Sequence, residues 1–257
     1  MRRPRRPRLV IALLAAFAIL MGVPYAAFLL TRDAQASGGR STVGLPSIPS
    51  GGDAVRPGSS SPPASGDDVR ALEAVPVVDA PPSTQRISGE SAAQPDLYAA
   101  EFVRRLLTQD YRTSRDTFVA WVQAEQAPCD EPLVVGQVPA GLRSRLALWS
   151  VTDERQGPAP VPGSAQWATL GRAGVYTTAR VDRVTEPLSW TNAVADGRIT
   201  DPGVTGRLVL ATVTRHTGQD SQSFSVAVSL NLEGPPSRPA WGVVVVVAYT
   251  FVPITAP

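Results

Sequence analysis

Catalysis needs side chains that hand over protons or electron pairs, and this chain has few of them. It contains one histidine, His216, and one cysteine, Cys129, and all 24 of its basic residues are arginine. A single imidazole excludes multi-histidine metal clusters and weakens any Ser-His triad. The absence of lysine removes a Ser-Lys dyad. No glycine-rich phosphate loop, GxSxG elbow or HExxH pair occurs. His216 falls in the run RHT near the end of a predicted strand, where an exposed or structural role accounts for it. Asp110, Asp116, Asp130 and Glu131 read as helix ends, caps and loop charges. One enzymatic arrangement needs weighing, a carboxylate base with a tyrosine hydroxyl as hydrogen-bond donor. Tyr98, Tyr111, Tyr176 and Tyr249 could supply the donor, but tyrosines at these spacings more often fill a core. Trp121, Trp149, Trp167 and Trp241 are scattered as core residues are, and Trp190, in a predicted loop, is the best surface candidate. Cys129 has no partner for an intramolecular disulfide and reads as a half-buried structural thiol. The expectation is a chain without catalytic, cofactor-binding or metal-binding residues: not an enzyme, and with no cofactor.

The elements that would position such groups can be read from periodicity. In PDLYAAEFVRRLLTQDY (95–111), Phe102, Val103, Leu106, Leu107 and Tyr111 recur at helical spacing. Pro95 and Asp96 suit a helix start. In TSRDTFVAWVQAEQ (113–126), Thr113 or Ser114 can cap a second helix whose stripe is Phe118, Trp121 and Val122. PAGLRSRLALWS reads as a short helix ending in Trp149, and ERQGPAPVPGSA as a loop. Four strand candidates follow, at 174–184, 206–216, 223–232 and 241–252. The second places Leu208, Leu210 and Thr212 on one face. The third alternates cleanly, with Phe224, Val226, Val228, Leu230 and Leu232 opposite small polar residues. The fourth puts Trp241, Val243, Val245, Val247, Tyr249 and Phe251 on one face, and its other face is apolar enough to be covered too. HTGQDSQ and EGPPSRP carry turn chemistry, so the last three strands should form an antiparallel meander. The predicted core sets Phe224, Val226, Val228, Leu230, Val243, Val245 and Val247 against Phe102, Leu106, Phe118 and Trp121. Helices first and strands afterwards is an α+β layout, with helices on a curved antiparallel sheet of about four strands.

The N-terminal third has a different texture. Residues 1–8 hold five arginines, and Leu9–Leu30 is a run of 22 residues without a charge. As a helix rising about 1.5 Å per residue, that run spans a hydrocarbon core of about 30 Å. The arginine tip predicts a cytoplasmic N-terminus and an extracytoplasmic remainder. Ala34-Gln35-Ala36 has the form of a cleavage site, but the run is longer than a secretory signal core, which favours an intact single-pass anchor. Residues 31–94 read as a mostly disordered linker rich in Gly, Ser and Pro. Within it Val69–Val78 is more apolar and reads as a sticky patch, with docking as a short strand or helix the alternative. The domain proper is expected at 95–257. Six of the arginines precede Asp33 and every carboxylate lies at or beyond it, so the remainder is mildly acidic and carries no basic footprint for nucleic acid.

The stretches RRPRRPRLVIALLAAFAIL and AAEFVRRLLTQDYRTSRDTFVAW, with the two final strands, resemble the VirB-eight and TcpC-like proteins of conjugative type IV secretion. Those proteins carry a cone-shaped domain of the nuclear-transport-factor-two-like superfold. The likeness is one of layout over most of the chain and brings no functional residues with it. It implies a membrane-anchored, non-enzymatic scaffold in an envelope-spanning machine of a Gram-positive, high-GC bacterium. The implied partners are other envelope proteins and a second copy of the chain. The competing resemblance is to membrane proteins associated with mammalian-cell-entry lipid transporters, which share the layout and a similar texture at LLTQDYRTSRD. That reading implies a ligand-binding cone.

Overall fold

The computed structural model describes residues 65–76, 84–155 and 157–254. The arginine tip, the apolar run at 9–30 and most of the Gly/Ser/Pro-rich stretch lie outside them. No helix among the described residues is long and apolar enough to cross a membrane.

Described residues begin with α1 (Gly66–Glu73), then the 3-10 turn Gly89–Ala92, α2 (Pro95–Leu107) and α3 (Arg115–Ala124). Next come α4 (Pro132–Val135), the 3-10 turn Ala140–Arg145, α5 (Leu146–Thr152) and α6 (Ser164–Arg172). Strand β1 (Tyr176–Thr185) is followed by α7 (Leu188–Ala195), then β2 (Val204–Thr217), β3 (Asp220–Glu233) and β4 (Gly242–Pro253). The strands form one open antiparallel sheet in the order β1-β2-β3-β4. This is the α+β layout anticipated, and the meander includes β1 as well as the last three strands. Thr217 pairs with Asp220 across a tight turn in which Gly218 takes φ +61°, a conformation that glycine adopts without steric cost.

The two long helices form where their patterns predict. Pro95 opens α2, Asp96 sits in its first turn, and Arg104 and Arg105 lie in its last, as the helix dipole favours. Ser114 caps α3. Tyr98, Phe102, Val103 and Leu106 of α2 are fully buried, and they meet Val226, Val228, Leu230 and Leu232 of β3 in one core. Trp121 and Val122 of α3 join that core, and Phe118 packs against it partly buried. The β3 register is therefore the one its alternation dictates, with Ser225 exposed on the other face.

Strand β4 departs from simple alternation. It pairs Leu232 with Val243, Leu230 with Val246 and Val228 with Tyr249, with irregularities that leave Val244 and Val247 opposite no β3 residue. Each inserted residue reverses the facing of the residues after it. The main core thus takes Trp241, Val243 and Val246, with Tyr249 and Phe251 packed against it. Val245 and Val247, expected on that face, turn to a second cluster with Val244. That cluster gathers Val134 and Val135 of α4, Leu146 and Trp149 of α5, and Ala193 of α7. The first half of β4 is buried on both faces, as its unbroken valine run implies. From Leu208 to Val213 the buried residues of β2 are Val209, Ala211 and Val213, while Leu208, Leu210 and Thr212 form the outward face. The β2–β3 register explains why: Val209 lies opposite Val228 and Ala211 opposite Val226.

Four helices escape a reading by periodicity. The stretch assigned to the linker up to residue 94 contains α1, whose Leu72 is completely buried. Ser65 caps α1 in a reciprocal box with Asp68, and Arg145 donates to the Glu73 carbonyl at 2.6 Å. The packed domain therefore starts about thirty residues before the predicted boundary. Helices α4, α6 and α7 are each nine residues or fewer, too short to display a clear apolar period.

Candidate functional site

A cleft of about 490 Å³ lies beside α7 and the start of β2. Trp190, Thr191 and Val194 of α7 form one wall, and Thr200, Asp201 and Pro202 another. Pro95, Pro235 and Trp241 close it. Both indoles sit over glycines. A Cβ on Gly206 would come within 2.6 Å of the Trp190 ring, and one on Gly234 within 2.3 Å of Trp241. Glycine at these two positions is what lets the rings lie flat against the backbone. Trp190, the surface candidate, is half-buried in this cleft.

The charges around the cleft are committed to one another. Arg207 pairs with Glu186 at 3.1 Å and with Asp96, and its side chain is only 12% exposed. Glu186 also accepts the Thr191 hydroxyl at 2.8 Å, which ties α7 to the segment before it. Asp201 accepts the Gly203 N–H at 2.7 Å and the Ser237 hydroxyl. Beneath the loop, Glu131 is buried and accepts the Thr200 N–H at 2.9 Å, the Thr200 hydroxyl at 3.1 Å and the Asp201 N–H at 3.2 Å. Burial acts to raise its pKa, but these donors outweigh it and the carboxyl ends below its ordinary value. Nearby Glu233 has its pKa raised, by burial first, and Arg238 at 3.6 Å offsets this only in part. The cleft can bind by stacking and hydrogen bonding, and its carboxylates serve as loop and helix ties.

The four tyrosines do not converge on one site. Tyr98 is fully buried, and its hydroxyl donates to Glu125 Oε2 at 2.9 Å. Glu125 has no mark in the sequence that singles it out. It is also fully buried, accepts the Ile87 N–H at 2.6 Å, and its carbonyl accepts the Val243 N–H at 2.9 Å. This phenol–carboxylate pair is a staple joining the stretch before α2, the end of α3 and β4. Burial, then the adjacent Glu125, raises the Tyr98 pKa well above the ordinary phenol value. Tyr111 is pushed to about 12, chiefly by burial, and burial raises Tyr249 as well. Tyr176 is exposed and stacks on His216 at 4.5 Å. His216 also lies 3.2 Å from the Thr178 hydroxyl, a surface cross-strand contact.

The remaining candidates have structural surroundings. Cys129 is 1% exposed, more deeply buried than expected, and burial raises its thiol to about 12, so it stays protonated near neutrality. Asp110 is held at about 2 by hydrogen bonds from Arg112, and Asp130 pairs with Arg143. Asp116 lies in the first turn of α3. Trp121, Trp149 and Trp167 are core residues, and Trp167 donates to the Thr113 carbonyl at 3.0 Å. Among the described residues no group of three or more His, Cys, Asp or Glu could hold a metal ion.

No family model, curated protein or solved structure matches this chain.

Proposed function

We propose that this chain is a membrane-anchored scaffold of an envelope-spanning conjugative transfer or type IV secretion-like machine, and that it works through its surface rather than by catalysis. The observation that carries this reading is the filled space between helices and sheet. Phe102 and Leu106 from α2 and Val228 and Leu230 from β3 occupy it, each at most 1% exposed. A cone-like domain with a packed interior has its outer faces and strand edges left for partners. The buried ionisable groups support the same view, because Glu125, Glu131 and Tyr98 each hold one segment to another. In this reading residues 9–30 anchor the chain, residues 1–8 lie in the cytoplasm, and the α+β domain stands outside it.

DNA transfer in a strain lacking the gene tests this, with complementation by the full chain or by a chain without residues 1–32. Transfer should fall in the deletion strain, return with the full chain and stay low with the truncated one. Normal transfer without the gene contradicts the proposal. A lipid co-purifying with the chain would instead favour a ligand-binding component of a lipid transporter, with the Trp190–Trp241 cleft as the place to look.

A further inference from the structure

The outer edge of β4 is divided. Near its start, the Val243 N–H donates to the Glu125 carbonyl, the Val243 carbonyl accepts from Ala127, and the Val246 N–H donates to Ser150 Oγ at 3.0 Å. Beyond Val247 this cover ends. Ile254 N–H donates to the Ser223 carbonyl of β3 at 2.9 Å. Antiparallel alternation then turns the backbone groups of Ala248, Thr250 and Val252 toward β3, and those of Tyr249 and Phe251 away from it. No described residue pairs with that outward side. Nothing in the sequence blocks it either. No charged residue occurs from Gly242 to the end of the chain, and the first proline is Pro253. Natural edge strands usually carry charges, prolines or bulges that deter pairing, and the two insertions of β4 both lie before Ala248.

We propose that Ala248–Val252 is a pairing edge for a second copy of this chain, joined antiparallel about a two-fold axis at Thr250. The run is symmetric about that residue, with the unpaired Val247 three positions before it and Pro253 three after. In this register Tyr249 of one copy and Phe251 of the other exchange N–H···O=C bonds, and the two-fold repeats the exchange. Thr250 then faces its own copy, a favourable cross-strand pair. Val252, 60% exposed, lies beside the small Ala248 of the other copy. The opposite edge cannot extend such an assembly. Thr108 and Gln109 occupy its first residues, and Arg180, Asp182, Arg183 and an irregularity at Asp182 mark the rest. One free edge per copy gives a closed pair with a continuous sheet, not a fibre. Five paired residues bury less than the roughly 1,200 Å² of a standard interface, so the pairing is weak and concentration-dependent. The pairing holds or fails independently of the secretion reading.

Cysteine cross-linking of the full-length chain tests it. Facing Cα atoms at a non-hydrogen-bonded antiparallel position are about 4.5 Å apart, inside the disulfide range. Under mild oxidation Thr250→Cys should give a covalent dimer at least about tenfold faster than Ser225→Cys, whose position one strand inward is out of reach across the pair. Thr250→Lys, which sets like charges face to face, should shift sedimentation equilibrium toward monomer while leaving the circular dichroism spectrum unchanged. Equal cross-linking rates for the two cysteine variants overturn the proposal, whether the edge is bare or covered by another part of the same chain. Self-association unaltered by a folded Thr250→Lys chain overturns it as well.

Discussion

The two edges of the sheet solve the same problem in different ways. Along β1 the end of α2 supplies partners: Thr177 N–H donates to the Gln109 carbonyl at 2.8 Å, Gln109 N–H donates to Thr177 Oγ1 at 3.0 Å, and Ala179 N–H donates to Thr108 Oγ1 at 3.2 Å. Further along, β1 carries charges. At β4 a buried staple, Glu125 with Tyr98, holds the end of α3 against the first residues, and the second half has no partner among the described residues and no charge. The contrast separates an edge closed by the sequence of the strand itself from one closed only by packing, and only as far as the packing reaches. Where that packing stops on β4, no described residue takes up the outward backbone groups of Tyr249 and Phe251.

The largest effect should come from the staple. Glu125→Ala leaves the buried Ile87 N–H without its acceptor and the Tyr98 hydroxyl with only the backbone carbonyl of residue 125 at 3.2 Å, and should lower stability by about 4 kcal/mol. Urea denaturation would measure this, and a loss under about 1 kcal/mol would mean that water or relaxation replaces the carboxylate. Leu106→Ala, in the core that serves both edges, should cost about 3 kcal/mol in the same experiment.

Much of this was legible in the sequence. The long helices and strands announced themselves because fourteen-residue strands and helices of ten and thirteen residues display several periods of their pattern. The β3 face was readable residue by residue. The β4 face was not, because valine at five consecutive positions carries no alternation that could reveal Val244 and Val247 as insertions. Helix α1 was hidden by the Gly, Ser and Pro around it, although Ser65 and Asp68 spell a capping box. The cleft was hidden for another reason. Trp190 and Trp241 are 51 positions apart in sequence, and only the fold brings them to one cavity. Glu125 showed nothing before its burial was known, since a glutamate at a helix end is ordinarily solvated.

Smaller effects should arise at the β1 edge. Thr177→Val removes the hydroxyl that accepts from Gln109 and donates to the Leu107 carbonyl at 2.7 Å. It should cost about 1–2 kcal/mol and speed amide exchange at Gln109. The smallest effect near neutrality belongs to Tyr111, beside that edge. Burial raises its hydroxyl from the ordinary 10.0 to about 12 in the folded chain. The unfolded chain therefore loses this proton first. The stability linked to it is complete below pH 10 and declines as pH rises toward about 12. Tyr98 and Tyr249, also raised, add to the same decline. Tyr111→Phe should flatten the stability–pH curve in that window, and an unchanged slope would mean that the hydroxyl is solvated.

Amide hydrogen exchange on the full-length chain at low concentration compares the two edges most directly. Thr177 and Ala179 on β1, with Val243 and Val246 on β4, should be protected, while Tyr249 and Phe251 exchange as open backbone and become protected only as concentration rises. Protection of Tyr249 and Phe251 in the dilute monomer, equal to that of Val243, would contradict an open second half of β4.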